Sequence, residues 1–581
     1  MSYIDSSDGP PSMKQDNRVR IESTRQYKLA LEFWVLLLAG FALWPLLSSG
    51  YYSDDLVNST LRGRIELEQS TLLAEIFNAI SDWIRNNGRV FPVTLGIIFS
   101  FSYFLTGLIA HKAVVLAMVI INLFLFKRVL ESMTEDASAA CLGVVLMTLL
   151  FQFRLYHDPI LSFAGQMPAF VGFVLASIWG FVEYLKKGRT ATLICSAVAF
   201  NASLYMYEVA LPLTLIFPAL AWSYSRPRNA KTTLRKAGPF LVSAAIALGL
   251  NLAARLVREP AMPGYAGTAL NLEWMPVAQT FAKQMIGTLP LSYQGFDPSG
   301  LFAQSRIDYM APDSLFLLIA SGLTLWHLTR QVIFAPSQVL CLVGGTLFIF
   351  PAMLVAASKK YQGELELGLG YLPVYAQYFG LAIIFVCAIG WLAQRIDGYV
   401  KRSIFTALCS VLAIGIALNL QGNKAVIAKA NVDNHYRRAA LVSALKQGIL
   451  NYVPSGSILV LRDEYSYDPW PSVRSPMRGW AKSGYPWLSA GLIHQYTGRQ
   501  FRVLVASETR SQLAANPSTA EAAGDDQYAL TIRSHPDATR DPTGFVELTI
   551  LVSAANDFRS PAAAPERLLR RIDSGREDRV P

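Results

Sequence analysis

A helix needs about twenty consecutive apolar residues to cross the hydrocarbon of a bilayer, and this chain supplies such stretches repeatedly, separated by short clusters of Lys and Arg. The first runs from Leu29 to Ser48 and follows Lys14, Arg18, Arg20, Arg25 and Lys28. Further stretches start near Ala113, Ser138, Ile160, Ala191, Ala210, Phe240, Ser314, Gln338, Tyr371 and Ile404. Basic clusters fall in alternate connections: Lys127 with Arg128; Lys186, Lys187 and Arg189; Arg226 to Lys236; Arg330; and Arg395 to Arg402. Cationic loops stay on the cytoplasmic side. The pattern therefore predicts a membrane all-α protein with about eleven transmembrane helices, its N-terminus in the cytoplasm and its C-terminal part outside.

Composition agrees, because 52% hydrophobic and only 16% charged residues over 581 positions is too apolar for a soluble chain. The net charge of +10 sits in the clusters between spans and not on a continuous basic face, which argues for the lipid bilayer as partner and against nucleic acid. The five cysteines, Cys141, Cys195, Cys341, Cys387 and Cys409, all lie inside apolar stretches and offer neither a disulfide framework nor zinc spacing. About 28 polar residues precede the first span and no cleavage site follows it, so that span reads as an uncleaved signal anchor in a cell (inner) membrane.

One stretch disturbs the count. Phe91 to Ala110 is long enough to cross, yet counting both it and its successor as spans would put three strong basic clusters outside. It is therefore expected to lie along, or dip into, the outer leaflet. The chain then divides into a cytoplasmic tail (1–28), a membrane domain (29–420) with a first external loop at 50–110, an external α/β unit (421–559) and a disordered tail (560–581). The α/β unit shows strand-like Ser457 to Leu461, Phe501 to Val505, Tyr528 to Ile532 and Val546 to Val552, with helical Arg437 to Leu450 and Trp487 to Tyr496. The tail is Pro, Ala and charge.

The residues most suggestive of chemistry are Tyr51-Tyr52-Ser53-Asp54-Asp55, which set two adjacent carboxylates at the outer mouth of the first span. Acids so near hydrocarbon are costly and tend to be functional. Neighbouring like charges also push one pKa up, which suits one carboxyl to take a proton while the other stays ionised. An amphipathic stretch, Leu67 to Ile84, and then Asn87-Gly88-Arg89-Val90-Phe91-Pro92 follow.

This arrangement resembles the GT-C superfamily of polytopic glycosyltransferases, and within it the bacterial enzymes that glucosylate O-antigen. The resemblance covers the architecture of the whole chain, with its specific motifs in residues 51–92. It implies transfer of a glucose-like hexose from a polyprenyl-phosphate donor to a cell-surface glycan or lipid-linked acceptor, with the first-loop acids acting on the acceptor. An acceptor hydroxyl needs a carboxylate to take its proton, and a phosphate leaving group needs cations. Asp54 or Asp55 is the expected base; the sequence does not order them, although Asp55 lies further from the span. Arg89, Lys359 and Lys360 are the expected phosphate-binding cations, ahead of Arg62 and Arg64.

Some members of the superfamily carry a second acidic site in the next external turn. Here that turn is Tyr156-His157-Asp158-Pro159, making Asp158 the reserve catalytic residue and His157 a site-lining one; Glu208 in the following external turn is another. A His-Asp pair in a short turn is more often a cap, and Lys359 with Lys360 equally fits interfacial snorkelling. Asp54, Asp55, Asp158 and Glu208 could hold a divalent cation, but no spacing demands one, and no metal or other cofactor is expected. Trp470, Trp480, Tyr485 and Trp487 read as belt or core aromatics before sugar platforms. An oligosaccharide polymerase or ligase would place its key Arg and His in a late loop such as 255–313, and a flippase would break its helices at mid-membrane.

Overall fold

The computed structural model describes residues 11–225, 228–258, 266–332, 334–466, 468–469, 472–473, 486–505, 527–534, 544–551 and 566–573. A helix stands at each of the eleven expected places. Seven of the described helices are long and apolar enough to cross a membrane: Gln26–Ser48, Leu108–Thr134, Phe163–Lys187, Ala230–Val257, Gln338–Ala357, Val374–Arg395 and Gly398–Lys446. Ala137–Leu150, Thr190–Leu204 and Ala210–Tyr224 are apolar but shorter, and Pro312–Gln331 is long enough but more polar.

The contacts between connections sort them onto two ends of the bundle. At one end Lys127 pairs with Glu32 at 2.8 Å, Lys186 with Glu135 at 3.0 Å, and Ser138 bonds Gln331 at 3.1 Å. At the other, Arg89 meets Glu208 at 2.6 Å and Lys424 meets Asp313 at 3.0 Å. The basic connections and the acidic first loop thus occupy opposite ends.

The Phe91 to Ala110 stretch divides. Pro92–Phe104 is a separate helix of 13 residues, which at 1.5 Å per residue is about 20 Å long and shorter than the roughly 30 Å of hydrocarbon. Residues 108–110, assigned from sequence to the external loop, instead open the long helix Leu108–Thr134. His111 and Lys112 therefore sit in its first turns, both buried.

The last long helix does not end where the membrane part should. Gly398–Ala430 continues through a π-turn at Asn431–His435 into Tyr436–Lys446, 49 residues in all. That is roughly 70 Å, more than twice the apolar thickness, so its final turns form part of the C-terminal unit. There five strands, β1 (Ile458–Glu464), β2 (Arg502–Val505), β3 (Gln527–Ser534), β4 (Gly544–Leu551) and β5 (Glu566–Asp573), order as β2-β1-β3-β4-β5. β1 runs parallel to β2 and β3, while β3, β4 and β5 are antiparallel neighbours. β5 corrects the expectation of a disordered tail: Glu566–Asp573 pairs along β4 with a register shift at Leu548/Thr549. Its Leu-Leu and Ile interrupt an otherwise Pro, Ala and charged segment, and the partner strand that orders them cannot be seen in local composition.

Leu441, Leu445, Leu459, Leu492, Leu530 and Val546 form the core of this unit, and Tyr51 and Leu56 of the first loop are buried in the same cluster. The seam also carries Asn431, which accepts from the Gly50 N–H at 2.8 Å and donates to Ser48 O at 2.9 Å. The acidic loop is thereby fixed between the membrane helices and the C-terminal unit. Trp470, Trp480 and Tyr485 lie outside the described residues, as does the side chain of Trp487.

Candidate functional site

Ser53 takes a left-handed backbone (φ 54°) and turns the chain into the short helix Asp54–Asn58. Consecutive residues on a helix point about 100° apart, so the two aspartates cannot share one environment. Asp55 faces inward and is 1% exposed. Its Oδ1 accepts the Ala164 N–H, and its Oδ2 lies 3.3 Å from His111 Nε2 and 3.5 Å from Lys112 Nζ. Lys112 also donates to Leu161 O at 2.7 Å. Burial pushes the Asp55 carboxyl up, but Lys112, His111 and the Ala164 N–H together outweigh it and hold the group below the usual carboxylate range. Asp55 is an ionised anchor joining the first loop, the start of helix Leu108–Thr134 and the 155–165 loop.

Asp54 faces the other way. Solvent reaches it, yet it stands among densely packed protein, and this desolvation, followed by the charge of Asp55, pushes its carboxyl up to about 6. The charge of Lys360 partly opposes the rise, placing that ammonium close to Asp54. The same ammonium acts on His157, which burial first and Lys360 second push down to about 4. His157 is therefore neutral near pH 7. It has a positive φ of 43° and packs against Tyr156, Tyr371 and Phe163, with ring centroids at 4.2, 5.7 and 5.8 Å.

Lys360 lies on the short helix Lys359–Glu364, half-buried, 3.9 Å from Glu364, and over the Tyr361 ring. Glu364 also accepts from the Tyr156 hydroxyl. Tyr361 in turn packs on Tyr371 at 4.0 Å. Lys359 is exposed, its backbone N–H bound to Ala269 O at 2.9 Å. The Lys-Lys pair thus divides as the Asp-Asp pair does: Lys360 is the one whose charge acts on Asp54 and His157.

Asp158 has a different part. Fully buried, it accepts N–H bonds from Arg154 at 2.8 Å, Ile160 at 2.7 Å and Leu161 at 2.6 Å. Burial pushes it up to about 6 against these donors and Arg154. Its carboxylate is bonded by backbone amides of its own loop and its carbonyl by the Ser162 hydroxyl at 2.6 Å, so it shapes the turn that presents His157. Arg154, also fully buried, clamps the turn to the rest of the bundle through Leu369 O, Gln152 O at 2.9 Å, Gly287 O at 2.8 Å and the Tyr378 hydroxyl at 2.6 Å.

Arg89 is set by its neighbour. Helix Leu72–Asn87 ends at Gly88 (φ 64°), whose N–H bonds Ile84 O as in an αL cap, and the Arg89 N–H bonds Trp83 O. The reversal brings Arg89 to Glu208 in a two-pronged ion pair at 2.7 and 2.6 Å, with its guanidinium 4.8 Å from the Phe91 ring centre. Both expected residues are thus found together, with Arg89 already neutralised. Arg62 pairs with Glu66 on the surface.

Of the expected residues, the structure gathers Asp54, His157 and Lys360, buries Asp55 and Asp158 beside them as supports, and sets Arg89 with Glu208. His111, Lys112, Arg154 and Glu364 were not singled out from sequence; the one available signal was the His111-Lys112 pair at the edge of an apolar stretch. Among the described residues no cluster of three or more His, Cys, Asp or Glu side chains is arranged to hold a metal. No protein-family model and no curated protein sequence matches the chain.

Proposed function

We propose that this chain is a membrane transferase of GT-C type that moves a sugar from a polyprenyl-phosphate donor to a glycan or lipid-linked acceptor outside the cytoplasm. In this reading eleven helices span a cell (inner) membrane, the basic end of the bundle faces the cytoplasm, and the first loop and C-terminal unit face away. The observation that carries it is the convergence of a solvent-reached, proton-avid carboxyl (Asp54), a neutral imidazole (His157) and an ammonium (Lys360) at the end of the bundle away from the basic clusters.

The step balances with these groups alone. Asp54 takes the acceptor's hydroxyl proton, the freed oxygen bonds to the anomeric carbon, and that carbon's bond to the phosphate oxygen breaks. Lys360 meets the charge that appears on the departing polyprenyl phosphate. A base whose pKa lies near the working pH combines ionisation with proton affinity, which is where Asp54 sits. The glucose-like hexose is carried over from the superfamily resemblance.

The test is transfer of radiolabelled sugar from a synthetic polyprenyl-phosphate donor by purified protein. Asp54→Asn should reduce transfer by about 10² to 10⁴ with unfolding behaviour unchanged. Transfer by Asp54→Asn at the wild-type rate would remove the assignment.

A further inference from the structure

Six Lys or Arg side chains are buried among the described residues: Lys112, Lys127, Arg154, Lys429, Arg437 and Arg438. Five have oxygen partners. Lys112 has Asp55 and Leu161 O; Lys127 has Glu32 and Glu131; Arg154 has three carbonyls and the Tyr378 hydroxyl. Lys429 lies 2.9 Å from Asp433 and 3.0 Å from Asp468, and Arg437 lies 3.4 Å from Asp463 and donates to Val432 O at 3.1 Å.

Arg438 differs. It is 4% exposed, its Nη2 is buried without a hydrogen-bond partner, and no carboxylate of the described residues pairs with it. Its neighbours are the Tyr51 ring, 5.0 Å from the guanidinium carbon, and Tyr496. One helical turn earlier Asn434 is fully buried, with neither its amide oxygen nor its amide nitrogen partnered. Asn434 lies in the π-turn that leads into the helix bearing Arg438, about one turn away along the same helix. Burying an unpaired guanidinium is among the costliest arrangements a protein can keep. A fold that neutralises every other buried cation, and leaves this one a helical turn from an unpartnered amide, is shaped for a charge brought from elsewhere.

We infer that Arg438 and Asn434 bind a phosphate group of an anionic ligand, at the seam between the first external loop and the C-terminal unit. A guanidinium offers a planar fork of donors matched to phosphate oxygens, and an amide adds two donors and one acceptor, the last suited to a phosphate hydroxyl. The site lies on helix Tyr436–Lys446, whereas Lys360 lies on helix Lys359–Glu364. Tyr51 connects it to the first loop, its ring lying 5.0 Å from Arg438 and edge-on to His111 at 5.4 Å. The phosphate is then that of a lipid-linked acceptor, an assignment that rests on the transferase reading; the phosphate site itself does not.

The test is thermal unfolding of the full chain in micelles with inorganic phosphate or with geranylgeranyl phosphate, in a Lys360→Gln background that removes the other cation. Phosphate should raise the midpoint by a few degrees, and adding Arg438→Met should abolish that rise while lifting the ligand-free midpoint, because an uncompensated buried charge is gone. A rise with both probes marks the phosphate alone as sufficient, and a rise only with the prenyl compound marks a lipid-borne phosphate; either supports the site if Arg438→Met removes it. No rise with either probe, or a rise that survives Arg438→Met while the ligand-free midpoint falls, overturns it and leaves Arg438 a structural residue. Binding is read without any transfer assay, so phosphate binding at Arg438 in a chain that moves no sugar would sink the transferase reading and spare this one.

Discussion

Asp54 and Asp55 are chemically identical neighbours, and substitution of each by Asn should produce opposite phenotypes. In Asp55→Asn the side chain keeps its shape and can still accept the Ala164 N–H, but Lys112 loses the carboxylate at 3.5 Å and His111 the one at 3.3 Å. Lys112 is then a fully buried ammonium that keeps its hydrogen bond to Leu161 O. Breaking a buried pair by removing one partner costs about 3–5 kcal/mol, most of it the cost of the charge left behind. The double variant Asp55→Asn/Lys112→Met removes that charge and should recover most of the loss, since the cost belongs to the pair and not to either residue. The assay is denaturant unfolding in detergent micelles followed by tryptophan fluorescence, with Asp54→Asn as reference. Asp54 touches solvent and its removal strands no fully buried charge, so its Asn variant should unfold with the wild type. Equal stability of the Asp55→Asn and Asp54→Asn proteins, or a double variant as unstable as Asp55→Asn alone, would refute the division into anchor and base.

Transfer should fall on acidification through about pH 6, because Asp54, pushed up to about 6 by desolvation and by Asp55, must be ionised to accept a proton; a pH–rate profile flat down to the ordinary carboxylate range would assign the base elsewhere. Gly88→Ala places a β-carbon 3.1 Å from Arg255 Cα on a residue with φ 64°, a left-handed backbone that costs an L side chain about 1–2 kcal/mol, so its unfolding midpoint should drop measurably. Arg89→Ala should destabilise by leaving Glu208 partly buried without its guanidinium, and Glu208→Gln should relieve it; loss of donor affinity in the Arg89→Ala/Glu208→Gln protein would return Arg89 to the donor phosphate. A Cys replacing Tyr452, 78% exposed in the C-terminal unit, should react with a membrane-impermeant thiol reagent from outside intact cells; reaction only after permeabilisation would reverse the orientation.

Hydrophobic length was enough to locate the helices, because a bilayer imposes the same requirement on every span and local composition reports it directly. It did not fix where the helix after the first loop begins. Leu108 to Ala110 are as apolar as the stretch before them, and only the break after Phe104 separates the two helices. The acidic pair was visible as a motif, but its division of labour was not. That division depends on partners 56, 57 and 109 positions away, His111, Lys112 and Ala164, and on the direction a one-and-a-half-turn helix gives each side chain. Asp158 stood as a reserve catalytic candidate for the same reason: a turn sequence does not reveal that three amides of its own loop converge on it. β5 was missed because its pairing partner, and not its composition, makes it a strand.

Tyr51 and Leu56 complete their packing only against a core whose other members lie beyond residue 439. The ribosome makes the first loop well before those partners, so the loop exists long before the surface that holds it does. Contacts this distant in sequence form late. A chain released before its C-terminal unit would still hold Asp55 on Lys112, His111 and Ala164, yet Tyr51 and Leu56 would lack the core that covers them.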